Sequence, residues 1–139
     1  MTTNVLMVIE QIDNKLIKDN ETRIKNVIKE EYDIEENVNF NFILDNLTSV
    51  EILKLFIELK NEYKKLTLEC FVKDNNLVDE SVFNSCDKIN NVKLNSAELY
   101  KSLVDKNKDI FFIINYKNKQ NELLNICKEK NKNIILIKI

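Results

Sequence analysis

A chain of 139 residues with no glycine and no proline has to make every turn with residues that carry a side chain and a backbone N–H. Glycine is the residue that visits positive φ without steric penalty, and proline is the one that sets a turn in advance. Here the punctuation falls to aspartate and asparagine. Asp19-Asn20, Asp45-Asn46 and Asn75-Asn76 each separate two patterned segments, and Asn tolerates the left-handed region best after Gly. The same absence constrains function. Phosphate cradles built of main-chain N–H groups need glycine for close approach, so a glycine-rich nucleotide loop is excluded. Histidine is absent as well, which removes the usual neutral-pH proton carrier and the commonest ligand of first-row metals. The sequence therefore gives no catalytic residue, no metal ligand and no cofactor. The surplus of Lys, Asn and Ile over Arg, Gly, Pro and Ala is what mutational bias in an AT-rich genome produces.

The length fits a single domain that buries most of the surface its unfolded chain exposes. With 44% hydrophobic and 32% charged residues, the chain reads as globular rather than disordered. A net charge of -2 and a single arginine, Arg23, argue against a nucleic-acid partner. Cys70, Cys86 and Cys127 are far apart and contain no C-x-x-C pair; they read as buried thiols in a reducing compartment. The N-terminal stretch has no basic leader, and its apolar run Val5–Ile9 is too short for a signal peptide or a membrane span. The expected location is cytoplasmic, away from membranes.

Val5, Leu6, Ile9, Ile12, Leu16 and Ile17 recur at helical spacing and predict a first amphipathic helix. A second spans about Glu21 to Tyr32, so residues 1–36 read as an N-terminal helical extension. From residue 37 the period changes. Val38–Leu44 alternates polar and apolar, as a half-buried strand does. Thr48-x-x-Glu51 has capping-box spacing and opens a helix to about Lys64. Leu66–Val72 reads as a strand, Asp79–Ile89 as a short helix and Asn91–Leu94 as a brief strand. Asn95-x-x-Glu98 caps a further helix to about Lys106. Asp109–Tyr116 is a nearly continuous apolar run, typical of a strand buried on both faces. Asn118 opens a helix to about Lys130, and Asn133–Ile139 reads as another buried strand. Residues 37–139 thus form an alternating strand/helix unit. The expected class is α/β: a mostly parallel, Rossmann-like sheet of four to five strands flanked by helices, with an N-terminal helical pair, in one domain over 1–139. Asn39 and Asn41 put polar groups on one face of the strand at 38–44, which favours an edge position for it over a solvated groove.

Ligands of open α/β sheets bind beyond the carboxyl ends of the strands. The residues expected there are Asp45, Asn46, Thr48 and Ser49, then Lys73 and Asp74, then Tyr116, Lys117 and Asn118. Thr48 and Ser49 at a helix start offer hydroxyls and N–H groups to an anion, although helix capping, which the Thr48/Glu51 spacing explains completely, is the favoured account. Asp45 and Asp74 suit a ligand hydroxyl or a metal, although lone loop carboxylates read first as solvated turn residues. Cys127 falls on the apolar stripe of its helix, which reads as core rather than nucleophile.

Residues 42–72, FILDNLTSVEILKLFIELKNEYKKLTLECFV, with the later LYKSLVDKNKDIFFI, resemble the opening half of family-4 glycosyltransferases of the GT-B fold. That family places a glycine pair before a Glu in its first loop, whereas the positions before Glu51 read Thr48-Ser49-Val50. The resemblance implies a separated or remnant N-terminal half that binds a phosphate or sugar ligand. Residues 22–63 also resemble an acyl carrier protein, DNLTSVEI matching its D-S-L-x-x-V-E motif. Asn46 stands in place of the modified Ser, which implies a degenerate carrier without its prosthetic group. Weighed against both, the missing catalytic chemistry points first to a non-catalytic cytosolic protein–protein interaction module. It would be a subunit or accessory factor of a larger assembly, meeting a protein partner through the N-terminal helices, residues 3–32.

Overall fold

Val5–Ile9 is the middle of a strand, not the start of a helix. In the computed structural model, which describes residues 2–73, 78–118 and 120–139, the chain opens with β1 (Thr3–Ile9) and continues through α1 (Asn14–Asp19), α2 (Glu21–Glu31), β2 (Val38–Ile43), α3 (Leu47–Glu62) and β3 (Leu66–Val72). It then runs through α4 (Glu80–Asn84), β4 (Lys88–Asn91), α5 (Ser96–Lys106), β5 (Asp109–Ile114), α6 (Glu122–Glu129) and β6 (Asn133–Lys138). The six strands form one sheet in the order β4-β3-β2-β1-β5-β6, and every neighbouring pair is parallel. This is the expected Rossmann-like α/β class with one strand more than the pattern predicts. The helical pair is present as α1 and α2, but it connects two adjacent strands rather than standing apart from the sheet. Asn75-Asn76 and Asp74 lie outside the described residues.

The extra strand has a clear origin. Val5 through Ile9 are all buried, because β1 is flanked by β2 and β5 and covered on both sides. Such a strand shows no alternation, and a short apolar run cannot be separated from a helix by period alone. The helix begins only where Asp13 takes the Lys15 N–H at 2.8 Å. Two other elements also differ from expectation. The helix at Asp79 ends at Asn84, and Lys88–Asn91 pairs with β3 as a mostly exposed edge strand. At the other edge, β6 is only half buried, although its NIILIK sequence reads as a core strand.

The two sheet faces are unlike. One carries α1 to α4 over the larger core, built on Val5, Met7, Phe40, Phe42, Leu68, Cys70 and Phe111. Phe56 of α3 meets Phe40 and Phe42 edge-on, with ring centroids 4.8 and 5.0 Å away. The other face carries α5 and α6, which pack on Leu6, Val8, Ile110, Phe112 and Ile114. Over β2 and β3 that second face is polar and partly open to solvent. Asn39 accepts from the Thr67 hydroxyl at 2.9 Å and donates to Asn4 and Asn41 at 3.1 Å each. Asn41 is buried and donates to Asn107 Oδ1 at 3.4 Å. The Asn pair therefore marks an amide ladder on an interior strand, and the edge position expected for it is corrected. Side-chain amides satisfy one another on a sheet face without help from water.

Asx residues do the work that glycine and proline usually share. Asn46, Asp79, Asn95 and Asn121 each accept an N–H from the first turn of their helix, the role these side chains suit best. At the end of α6, Asn131 takes φ 56, and Lys132 N donates to Cys127 O at 3.0 Å. That is a Schellman closure with Asn in the usual glycine position.

Candidate functional site

The strand order fixes where a cleft must lie. The chain winds outward from β1 through β2, β3 and β4, then crosses back to place β5 on the other side of β1. Loops leaving β1 and β5 therefore diverge to opposite sheet faces and leave a crevice beyond their carboxyl ends. A cavity of about 620 Å³ opens there, lined among others by Glu10, Asp45, Asn46, Tyr100, Asn118 and Asn121.

Glu10 is the first residue after β1 and the organiser of the crevice. Its main-chain N–H donates to Ile113 O at 3.0 Å, which extends the β1–β5 pairing by one step. Its carboxylate accepts from Asn115 N at 2.8 Å, Asn118 Nδ2 at 2.6 Å and Asn121 Nδ2 at 2.9 Å. One carboxylate thus holds three residues between β5 and α6, through charge-assisted hydrogen bonds. Asn121 also caps α6 through its other amide atom, accepting Leu124 N at 2.9 Å.

Asp45 stands across the crevice, two residues beyond β2. It accepts from Asn46 Nδ2 at 2.9 Å and, more loosely, from the Tyr100 hydroxyl at 3.5 Å. Burial pushes its carboxyl above the ordinary range, and hydrogen bonds from its surroundings, Tyr100 among them, only partly oppose this. The Tyr100 hydroxyl is pushed up as well, first by burial and then by the charge of Asp45. Asn46 Nδ2 also donates to Ile9 O at 2.9 Å, so this side of the crevice is tied to the end of β1. Among the described residues, Lys117 is the cation that lines the crevice.

The four residues expected from sequence divide. Asp45 and Asn46 line the crevice. Thr48 and Ser49 are buried and fully occupied within the fold. Ser49 Oγ donates to Asn46 O at 2.6 Å, and Asn46 Oδ1 accepts Ser49 N at 2.8 Å. The capping box is therefore Asn46 with Ser49, not Thr48 with Glu51. Thr48 sits two residues into the helix and clamps the β1–α1 loop: its Oγ1 accepts Ile12 N at 2.8 Å and donates to Ile12 O at 3.0 Å. Lys117 and Asn118 join the crevice, whereas Lys73 does not line it. Asp74 lies outside the described residues. Glu10, Tyr100, Asn115 and Asn121 escape the sequence reading. Glu10 is hidden because β1 reads as a helix, which erases the carboxyl end on which it stands.

Among the described residues no cluster of His, Cys, Asp and Glu could hold a metal ion, and no helix is long and apolar enough to cross a membrane. The fold and crevice define a doubly wound α/β domain with an amide- and carboxylate-lined site at its switch point. No known protein family matches the chain, and no curated protein matches it in sequence.

Proposed function

We propose that the protein binds a small, uncharged polyhydroxylated ligand, a sugar or the ribose of a nucleoside, in the switch-point crevice. One observation carries the reading. Two carboxylates, Glu10 and Asp45, face the crevice with Asn46, Asn115, Asn118 and Asn121 around them. Carboxylates accept from vicinal hydroxyls, and the lone pairs and amide hydrogens that the bonds within the crevice wall leave over offer acceptors and donors to the same groups. Phosphate fits poorly. The loop after β1 supplies an acid where phosphate-binding loops supply glycine N–H groups, and among the described residues the crevice lining carries two carboxylates, Glu10 and Asp45, against one cation, Lys117. Of the two ligand classes that the glycosyltransferase resemblance implies, sugar is therefore preferred over phosphate.

The interaction-module reading rests on the missing catalytic chemistry and names the N-terminal helices as its contact surface; the apolar stripes of those helices are used within the fold. Ile17, Ile24 and Ile28 of the N-terminal helices are buried in the core under β1 and β2, so their apolar stripes face inward. With the ligand reading we place the chain in the cytosol, because three cysteines, odd in number and without a C-x-x-C pair, are the usage of a reducing compartment rather than of a secreted disulfide framework. The test is a thermal-shift panel of neutral sugars and nucleosides beside their phosphorylated forms. A ligand at a hundred times its Kd stabilises by about 2.7 kcal/mol, which raises Tm by roughly 8–11 °C at this chain length. The neutral compound should give that shift, and Asp45→Ala should abolish it. Binding confined to phosphorylated compounds, or a shift that survives Asp45→Ala, would overturn the proposal.

A further inference from the structure

Two of the three thiols meet, although they are sixteen residues apart. Cys70 lies in the middle of β3, fully buried, paired in register with Phe42 on one side and Ile89 on the other. Cys86 follows α4 and is half-buried. Its position is held on both sides. Cys86 N donates to Phe83 O at 3.1 Å, and Asp87 N donates to Leu68 O at 2.9 Å. Asp87 Oδ2 accepts Leu68 N at 2.8 Å and is also paired with Lys60 of α3. Between these anchors Cys86 Sγ rests 2.9 Å from Cys70 Sγ. A disulfide bond is about 2.05 Å long, so closure needs less than about 1 Å of sulfur movement. Cys127 is buried in the core on the opposite sheet face.

We propose that Cys70 and Cys86 form a reversible thiol–disulfide site that is oxidised by small-molecule disulfides of the glutathione type. The more accessible partner, half-buried Cys86, acts first. The Cys86 thiolate attacks one sulfur of the glutathione disulfide, and one glutathione thiolate leaves. Cys70 then loses its proton and attacks the Cys86 sulfur of the mixed disulfide, expelling the second glutathione. The protein gives up two electrons and two protons, and one glutathione disulfide becomes two thiols. The surroundings suit that order. The hydrogen bond from the Cys70 thiol, helped by Lys60, holds the Cys86 thiol below its ordinary range. That bond together with burial pushes Cys70 up, and a thiolate with an adjacent resolving thiol is the usual form of a redox-responsive pair. Closure would staple α4 and the start of edge strand β4 to β3. Neither cysteine lines the switch-point crevice, so this site stands independently of the ligand reading.

The test is equilibration of the native protein in glutathione buffers of graded redox ratio, followed by acid quench, alkylation after denaturation and intact-mass measurement. The expected product has lost two hydrogens and keeps one alkylatable thiol. A tryptic peptide should join Cys70 to Cys86, and dithiothreitol should restore all three thiols. Cys127→Ser should behave as wild type in this reaction, and Cys86→Ser should not form the product. A stable glutathione adduct on Cys86, a bond to Cys127, or three intact thiols in fully oxidised buffer would each overturn the assignment. The wild-type measurement decides the matter even where a core variant such as Cys70→Ala fails to fold.

Discussion

Replacing Thr48 by Val is the sharpest probe of how the crevice is held. The two side chains are nearly isosteric, so packing changes little, but the hydroxyl goes. Ile12 N–H and Ile12 C=O, which it bridges at 2.8 and 3.0 Å, then both lack a partner at a residue only 2% exposed. A buried polar group left without its hydrogen bond costs about 1–3 kcal/mol, so two such groups should cost about 2–6 kcal/mol. At roughly 3–4 °C per kcal/mol for a chain of this length, Tm should fall by about 6–24 °C. Thr48→Ser keeps the hydroxyl and loses one methyl group, for about 1 kcal/mol. Urea unfolding followed by far-UV circular dichroism gives both values, and hydrogen exchange at the Ile12 amide should accelerate in Thr48→Val but not in Thr48→Ser. The expected order is wild type, then Ser, then Val. A Val variant within about 0.5 kcal/mol of wild type, the range of ordinary surface substitutions, would refute the clamp. It would also leave the turn at Ile12 without its long-range tie to α3.

Tyr32 gives a prediction of opposite sign. Its ring packs edge-on against Phe40 and Phe111, at centroid distances of 5.8 and 6.3 Å, while its buried hydroxyl meets no hydrogen-bond partner among the described residues. Tyr32→Phe should therefore stabilise the fold by about 1 kcal/mol in denaturant titration, and a loss of stability would mean that the hydroxyl is satisfied. Asp45 gives a pH dependence. Because burial raises its folded-state pKa, the carboxylate is ionised in both states above that pKa and its desolvation weakens the fold. As pH falls through the folded-state pKa, the folded chain takes up the proton first, and the penalty vanishes by about pH 4, the ordinary Asp value. Asp45→Asn should then be more stable than wild type at pH 7, with a gain that shrinks as pH falls; a pH-independent difference would contradict the burial argument.

Much of the fold is written in local patterns, and the exceptions share one physical cause. Leu66–Val72 and Ser96–Lys106 agree with their patterns at both ends, because a half-buried strand and an amphipathic helix each leave a period that burial on one face imposes. The period is lost where burial is on both faces or on neither; Asp109–Ile114 is still read as a strand by its aromatic and β-branched run, but other such segments are not. Val5–Ile9 is covered on both sides and so loses its alternation. Lys88–Asn91 is an edge strand of mostly exposed residues and has almost no apolar signal to read. In both cases the deciding information is the neighbouring strand, and the strand order of a sheet is not a local property.

The site is less legible than the fold for the same reason, sharpened by chemistry. Asp45 and Asn46 are found because they follow a recognisable strand. Glu10 becomes a site residue only when Asn115, Asn118 and Asn121 arrive from more than a hundred residues away. Thr48 shows the converse. A Thr three residues before a Glu looks like a cap, but the backbone can be capped equally well two residues earlier by Asn46. Once Asn46 takes that position, the Thr48 hydroxyl turns inward and takes both polar groups of Ile12. In a chain without glycine or proline many Asx and hydroxyl residues compete for each helix start, so the local code is degenerate. The choice among the competitors falls to the long-range bond that only one of them can make. Here that bond runs from Thr48 to the loop after β1, which is why the same residue choice that starts α3 also sets the wall of the crevice.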